Sequence, residues 1–307
     1  MSINKPMLAA TIESPEDLDN ITYPVFASPK LDGVRCVTDG SATPHSRKGE
    51  LFENPYIVEL MGRHEELEDL DGELGIGTPT DKDFFTRTSA WLRRSDDTNL
   101  PEPITFYVFD RVDNARSYQD RFIEEAADFV IETAEFIVKK LQQVLCRNKA
   151  EVLALEQKWF DEGYEGIMLR GAIYKAPYKH GRASMNSQQL MKYKRFADTE
   201  GVLIGFVEGK TNNNEATKDA LGHTKRSSAK AGKVANGRVG ALLVKSPDFV
   251  ETVKIGTGIG LTHELRTDML ENPDKYIGRT ITFTYQPGSD YVKARFPSFK
   301  GFRDDGI

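Results

Sequence analysis

The segment Lys30-Leu31-Asp32-Gly33-Val34-Arg35 sets a potential nucleophile beside an acid, a small residue and a cation. A lysine with an ordinary pKa of about 10.4 is almost wholly protonated at neutral pH, with roughly one neutral amine in a thousand or fewer. An ammonium carries no lone pair, so such a lysine attacks only where burial or neighbouring cations disfavour its charge. Candidate cations are Arg35, Arg47, Lys192 and Lys194. On composition alone the segment reads as a surface turn. Its place between strand-like runs at 23–27 and 34–38 makes it more informative.

Further short segments follow in a fixed order: Ser46-Arg47-Lys48-Gly49, Asp71-Gly72-Glu73-Leu74, Tyr107-Val108-Phe109-Asp110, Glu165-Gly166-Ile167-Met168-Leu169-Arg170, Lys192-Tyr193-Lys194, and finally Arg295-Phe296-Pro297-Ser298-Phe299-Lys300-Gly301-Phe302-Arg303. Taken singly, Phe109 reads as core in an alternating strand, Glu73 as a turn carboxylate near glycines, and Glu165 as a cap before a buried strand. In series around one lysine they resemble the covalent nucleotidyltransferase superfamily of ATP-dependent ligases and mRNA capping enzymes. Within it, the pattern is most similar to the small DNA ligases of bacteriophages and large DNA viruses. The resemblance runs from about Phe26 to Arg303.

That resemblance implies an ATP-grasp-like nucleotidyltransferase (adenylation) domain and a role for each segment. Lys30 attacks the α-phosphate of ATP, forming a phosphoramide and expelling pyrophosphate. Arg35, Arg47, Lys192 and Lys194 hold phosphate or ribose oxygens and offset charge developing at phosphorus. Lys192 and Lys194 count among the catalytic residues, and Asp32 acts later, near the nick and the departing AMP. Glu73 accepts a hydrogen bond from the ribose, Phe109 stacks on adenine, and Ile167 belongs to the ATP-binding set. Glu165 is the expected ligand of a hydrated Mg²⁺ (or Mn²⁺), hard cations that prefer carboxylate and water. Arg295 and Arg303 close over ATP and orient the leaving pyrophosphate. The run after Arg303 has no terminal lysine following its acids, so Asp304 and Asp305 receive no role.

Positioning these residues takes mixed strands and helices, hence an α+β class. Runs at 23–27, 34–38, 105–109 and 166–169 read as strands. Ser117 with Asp120 predicts a capped helix to about Ala134, with Phe122, Ala126, Phe129 and Val130 on one face. Residues 149–162 predict a second helix, with Val152, Leu155 and Trp159 at helical spacing and Gly163 as the stop. Runs at 201–207, 239–245, 249–255 and 280–285, with one helix after Thr262, suit an all-β OB barrel. The expected domains are 1–195 (nucleotidyltransferase) and 196–307 (OB fold), with a long mobile basic loop at 210–238 between barrel strands. Two glycine-rich decoys are barrel turns: residues 205–211 miss the P-loop spacing, and residues 256–260 precede no βαβ unit.

The 307 residues are 39% hydrophobic and 29% charged, enough to bury a core. No apolar run approaches the ~20 residues of a membrane span, and no secretory signal is visible, so membrane association is excluded. Two distant cysteines suit a reducing cytoplasm, the host's if the chain is phage-encoded. The net charge is −6 overall, yet residues 196–307 carry +2 against −8 for 1–195. Basic residues concentrate at 170–195 and in the loop, where Lys210, Lys218, Lys225, Arg226, Lys230, Lys233 and Arg238 stand against Glu215 and Asp219. Such local density points to directed phosphate contacts; the resemblance implies that the partner is nicked double-stranded DNA, bound by a monomer. Only 29 residues precede Lys30, so no added N-terminal DNA-binding domain is expected and the loop supplies much of the grip. The competing readings are an RNA ligase, a capping guanylyltransferase, and a non-catalytic OB-fold nucleic-acid-binding protein. The last would have no use for Lys30, Glu165 and Lys192 together.

Overall fold

The computed structural model describes residues 5–95, 98–100, 102–113, 115–124, 131–172, 177–218, 222–258, 260–287 and 293–303. Two compact units divide the chain, one of residues 1–194 with 218–223 and one of residues 195–217 with 224–307.

The first unit is built on two sheets. In the five-stranded sheet the order is Val144–Cys146, Val25–Pro29, Ile167–Gly171, Met191–Tyr193, Ala10–Ile12. Val25–Pro29 is buried at all five positions, as expected of an interior strand covered on both faces. The helix Lys149–Asp161 packs Val152 and Trp159 onto this sheet. Asn148 caps it by accepting from the Glu151 N–H at 2.9 Å, and Gly163 terminates it at φ +97°. The six-stranded sheet runs Pro44–Ser46, Val34–Thr38, Leu70–Ile76, Ile104–Arg111, Phe136–Lys140, Ile131–Glu132. The helices Pro55–Gly62 and Phe84–Leu92 complete its core through Ile57, Leu60, Met61, Trp91 and Leu92.

One sequence expectation fails here. Within the predicted helix to Ala134 the described residues form a π-helical turn, Gln119–Glu124, and Ile131–Glu132 is a strand paired with Phe136–Lys140. Ser117 does bond Asp120, at 2.6 Å, and Phe122 is fully buried. Ala126, Phe129 and Val130 lie outside the described residues. Local capping chemistry started the turn, but sheet pairing claimed Ile131 and Glu132.

The second unit is a closed barrel ordered Ala197–Asn212, Lys233–Lys245, Val253–Gly256, Arg295–Phe302, Thr280–Gln286. The helix His263–Glu271 is capped by the Thr262 side chain. Leu203, Leu242, Ile255, Ile281 and Phe283 fill the interior. Residues 205–211 lie inside the continuous strand Ala197–Asn212, so the first glycine-rich decoy is neither a nucleotide loop nor the expected barrel turn.

Residues 210–238 are also not the expected unpaired loop. The two long barrel strands continue outward as an antiparallel ribbon, with Lys210 opposite Ala235 and Asn212 opposite Lys233. A small hairpin, Ala216–Lys218 with Thr224–Arg226, follows, and the Asn214 amide donates to the carbonyls of Ser227 and Ala229 at 2.9 Å. Backbone ladder bonds need no apolar face, so a reading from hydrophobic content misses such a ribbon.

Gly166 opens the strand Ile167–Gly171, where a Cβ would collide with the Tyr193 carbonyl oxygen. Gly166→Ala should therefore cost about 1–3 kcal/mol of stability by overpacking. Gly62→Ala, at a helical position with nothing within 4 Å, should be neutral or stabilising. Denaturant titration of both variants checks this; equal stabilities would mean that the strand can yield at Gly166.

Candidate active site

Lys30 follows directly on the buried central strand. Its N–H donates to the Gly166 carbonyl at 2.8 Å, and the Glu165 N–H donates to the Lys30 carbonyl at 3.3 Å. This backbone exchange sets the two side chains next to each other. One carboxylate oxygen of Glu165 accepts from Lys30 Nζ and the other from Lys194 Nζ, which arrives from the end of Met191–Tyr193. The Glu165 side chain is only 2% exposed, against 20% for Lys30 and 17% for Lys194.

These groups lie at a cavity of about 260 Å³ whose walls come from both sheets. Pro29, Met168, Arg170 and Lys192 approach from one sheet and Arg35, Glu73 and Phe109 from the other, while Arg47 and Arg182 also reach it. Lys192 is held below the ordinary ammonium range by burial and by the charges of Lys30, Arg182 and Arg47. Glu73 is pushed above the ordinary carboxylate range by burial, against the pull of Lys30 and Arg35. Asp32 is partly buried, adds to the upward push on Glu73, and does not line the cavity.

Phe109 owes its placement to a bulge. Asp71 pairs with Asp110 but Gly72 pairs with Val108, so Phe109 is an extra residue in its strand. Bulges re-aim side chains and recur beside active sites. The Arg35 guanidinium sits over this ring at 4.7 Å. Arg35 itself is gripped by Asp71 through two bonds, at 2.5 and 2.6 Å, and by the Met7 carbonyl at 3.1 Å. Tyr178 donates to Asp71 at 2.6 Å and accepts from the Met7 N–H at 2.9 Å. Burial opposes the charge on Arg35, but Asp71 outweighs it and keeps the guanidinium firmly protonated.

Of the residues proposed from the sequence, Lys30, Arg35, Arg47, Glu73, Phe109, Lys192 and Lys194 line the cavity, with Glu165 bonded to two of them. Ile167 does not. It is fully buried in the core beneath the five-stranded sheet, and its neighbour Met168 faces the cavity instead. Side chains alternate along a strand, so a one-residue difference selects the opposite face. Arg295 opens the last barrel strand and Arg303 follows its end; both are exposed, and Arg303 pairs with Glu200. The sequence reading left Asp71, Asp110 and Arg170 without roles, although all three stand inside the motif segments. Arg182 lay within the basic stretch at 170–195 without a role of its own, while Tyr178 and Arg121 gave no local signal, because their importance arises from partners that only the fold brings close.

No group of three or more His, Cys, Asp or Glu side chains that could hold a metal occurs among the described residues. A hydrated Mg²⁺ needs no such cluster, since it keeps several waters and is held by one or two carboxylates plus substrate phosphates. Glu165 is a carboxylate that could hold such a cation, which would take over bonds now made by two ammonium groups.

The Glu73 shift carries a sign that can be tested. A carboxylate whose folded pKa is raised gives stability below its unfolded pKa and loses it as pH rises through the folded value. Above that value the folded protein therefore bears a penalty. Glu73→Gln should raise the thermal midpoint at pH 7–8, and the gain should vanish below about pH 4, near the unfolded pKa. A gain independent of pH would mean that the penalty is not one of ionisation.

Residues 6–194 match the family described as ATP dependent DNA ligase domain, and residues 231–303 match the DNA ligase OB-like domain. A DNA ligase of African swine fever virus (isolate Pig/Kenya/KEN-50/1950) is 24% identical over 191 residues, covering 59% of this chain and 44% of that protein. The chain thus spans less than half the length of this curated relative. The crystal structure of a Chlorella virus DNA ligase-adenylate is 26% identical, covers 99% of this chain and 100% of that one, and superposes with a TM-score of 0.52. A Lig E DNA ligase shares the fold at a TM-score of 0.66, with 22% identity over 98% of this chain and 100% of that one. With its N-terminal unit matched almost end to end, the chain belongs to the family of ATP-dependent DNA ligases.

Proposed function

We propose that this protein seals nicks in duplex DNA in three steps, the first two of which carry AMP through Lys30. The observation that carries this reading is the shared Lys30–Glu165–Lys194 contact at a cavity with cations around it and an aromatic ring on its wall. ATP fits such a layout, with Arg47, Lys192 and Lys194 on the triphosphate, Glu73 on the ribose and Phe109 under adenine. Lys30, relieved of its proton, attacks the α-phosphorus; the P–O bond to the β-phosphate breaks and pyrophosphate leaves. Fixed cations offset the charge that develops without reorganising. A Mg²⁺ at Glu165 would add electrophilic pull on the phosphates. The AMP then passes to a DNA 5′-phosphate, regenerating the amine. Attack by the adjacent 3′-hydroxyl forms the phosphodiester and expels AMP, with Asp32 placed near this last exchange. Arg295 and Arg303 would serve only the first step, by orienting pyrophosphate. The buried free thiols Cys36 and Cys146 support work in a reducing compartment, the host cytoplasm for a virus-encoded enzyme. No helix among the described residues is long and apolar enough to cross a membrane.

Incubation with ATP and Mg²⁺ should add one AMP to Lys30 through an acid-labile P–N bond, read by mass. Lys30→Arg keeps the charge but offers no accessible lone pair, so adduct and sealing from ATP should both disappear. A stable GMP adduct in preference to AMP, or an adduct on another residue, would sink this reading.

The ribbon is the proposed grip on DNA, since Lys210, Lys225, Arg226 and Lys230 are exposed along it and Lys233 and Arg238 flank its base. Replacing residues 213–232 by a two-residue Asn-Gly turn would close the ladder at the Asn212–Lys233 pair. The shortened protein should bind nicked duplex more weakly, its log–log salt slope flattened by about 0.9 for each phosphate that it no longer neutralises. Formation of the Lys30 adduct should be nearly unchanged. An unaltered salt slope would move the DNA-binding surface to the barrel itself.

A further inference from the structure

Three buried charges lie beside the aromatic wall of the cavity, and the reaction described above uses none of them. Asp110, fully buried, accepts from Arg121 Nε at 2.8 Å and from its Nη2 at 3.1 Å. Arg170 Nη1 lies 2.8 Å from the same carboxylate. Arg121 is 1% exposed and Arg170 4%. Two guanidiniums on one carboxylate leave an excess positive charge out of water, which costs several kcal/mol per ion unless other contacts offset it.

Aromatic faces supply those contacts. Arg170 stacks 4.5 Å from the Tyr118 ring centroid and lies 5.9 Å from that of Phe109, while Arg121 is 5.4 Å from Tyr118. Tyr118 in turn donates its hydroxyl to the Phe109 carbonyl at 3.0 Å. Of the two arginines only Arg170 lines the cavity. The cavity's cations thus fall into two kinds. Lys30 and Lys194 share Glu165 and sit on flexible stems, whereas Arg35 and Arg170 are each pinned by a buried aspartate beside Phe109. A pinned, planar guanidinium cannot swing to follow a phosphate, but it can fix and extend a flat stacking surface.

We propose that Arg170, anchored by Asp110, is the positioning residue that fixes Phe109 as the platform for the nucleobase. This rests on the reading that the cavity takes ATP. Arg170→Gln leaves Arg121 and Asp110 as a balanced pair, so the buried charge falls and the fold should hold. Asp110→Asn would strand two guanidiniums and is the poorer probe.

The test compares two ligands at equilibrium on wild type, Arg170→Gln and Arg170→Lys. The first is α,β-methylene-ATP, which cannot expel pyrophosphate. The second is inorganic tripolyphosphate, which has no base. Arg170→Gln should weaken the nucleotide analogue about tenfold, corresponding to the upper range of a desolvated cation–π contact. Tripolyphosphate should bind all three proteins within about twofold of one another. Arg170→Lys, which keeps the charge without the plane, should also weaken the analogue, and it decides the matter if the Gln variant does not fold. Parallel weakening of both ligands would make Arg170 a phosphate residue and overturn the proposal, as would an unchanged analogue affinity. A missing Lys30 adduct alongside an intact contrast between the ligands would sink the ligase reading and leave the platform standing.

Discussion

Glu165 accepts hydrogen bonds from the ammonium groups of both Lys30 and Lys194, and the cation-rich cavity depends on this shared carboxylate. Two like charges 4 Å apart repel by about 4 kcal/mol near a protein surface. Untethered lysines would therefore splay apart. Here their stems start from neighbouring positions, because Lys30 and Glu165 are tied through their own backbones and Lys194 follows directly on the strand paired beside them, and the shared carboxylate draws the two ammonium groups together. The rigid sheet holds the repulsion that the carboxylate only partly relieves. Burial, together with the charges of Lys30, Arg182 and Arg47, keeps Lys192 below its ordinary pKa, and the site suits a ligand bearing several negative charges.

Beside Phe109 the strategy is different. Arg35 and Arg170 are not left to find an anion; Asp71 and Asp110, both fully buried, occupy them in advance. Buried ion pairs are weak sources of stability, because desolvation offsets most of the attraction. Their value here is geometric, since they hold flat cations beside a ring that a bulge has already turned toward the cavity. Glu73 shows the corresponding cost: a carboxylate kept where burial disfavours its charge is a liability for folding. Its position in the cavity wall makes sense only in relation to a ligand.

The barrel unit handles charge by exposure. A closed barrel leaves no strand edge, so two of its strands can run on into a polar ribbon without recruiting another sheet. Lysines along the ribbon stay solvated, where they can trade counterions for phosphates at little desolvation cost. If the proposed function holds, one chain carries two kinds of phosphate recognition, one crowded and the other dispersed and salt-sensitive.

Much of this was legible before folding. The order of short segments around Lys30 pointed to the residues that line the cavity, because each residue type there is dictated by chemistry. The capped helix at 149–161 and the alternating barrel strands followed from periodicity. Other features were not legible, for identifiable reasons. Ile167 and Met168 are adjacent and both apolar, and only the register of their sheet decides which one faces the cavity. The bulge at Phe109 exists only as a mismatch between two strands that are well separated in sequence. The ribbon at 210–238 has no hydrophobic signature, because its backbone bonds do the pairing. Tyr178 and Arg121 acquire meaning from Asp71 and Asp110, distant in sequence or facing from another element. The sequence by itself determined which chemical groups are available and in what order. Tertiary structure alone decided which of them share a face, a carboxylate or a ring, because those relations are set by strand register and not by spacing along the chain.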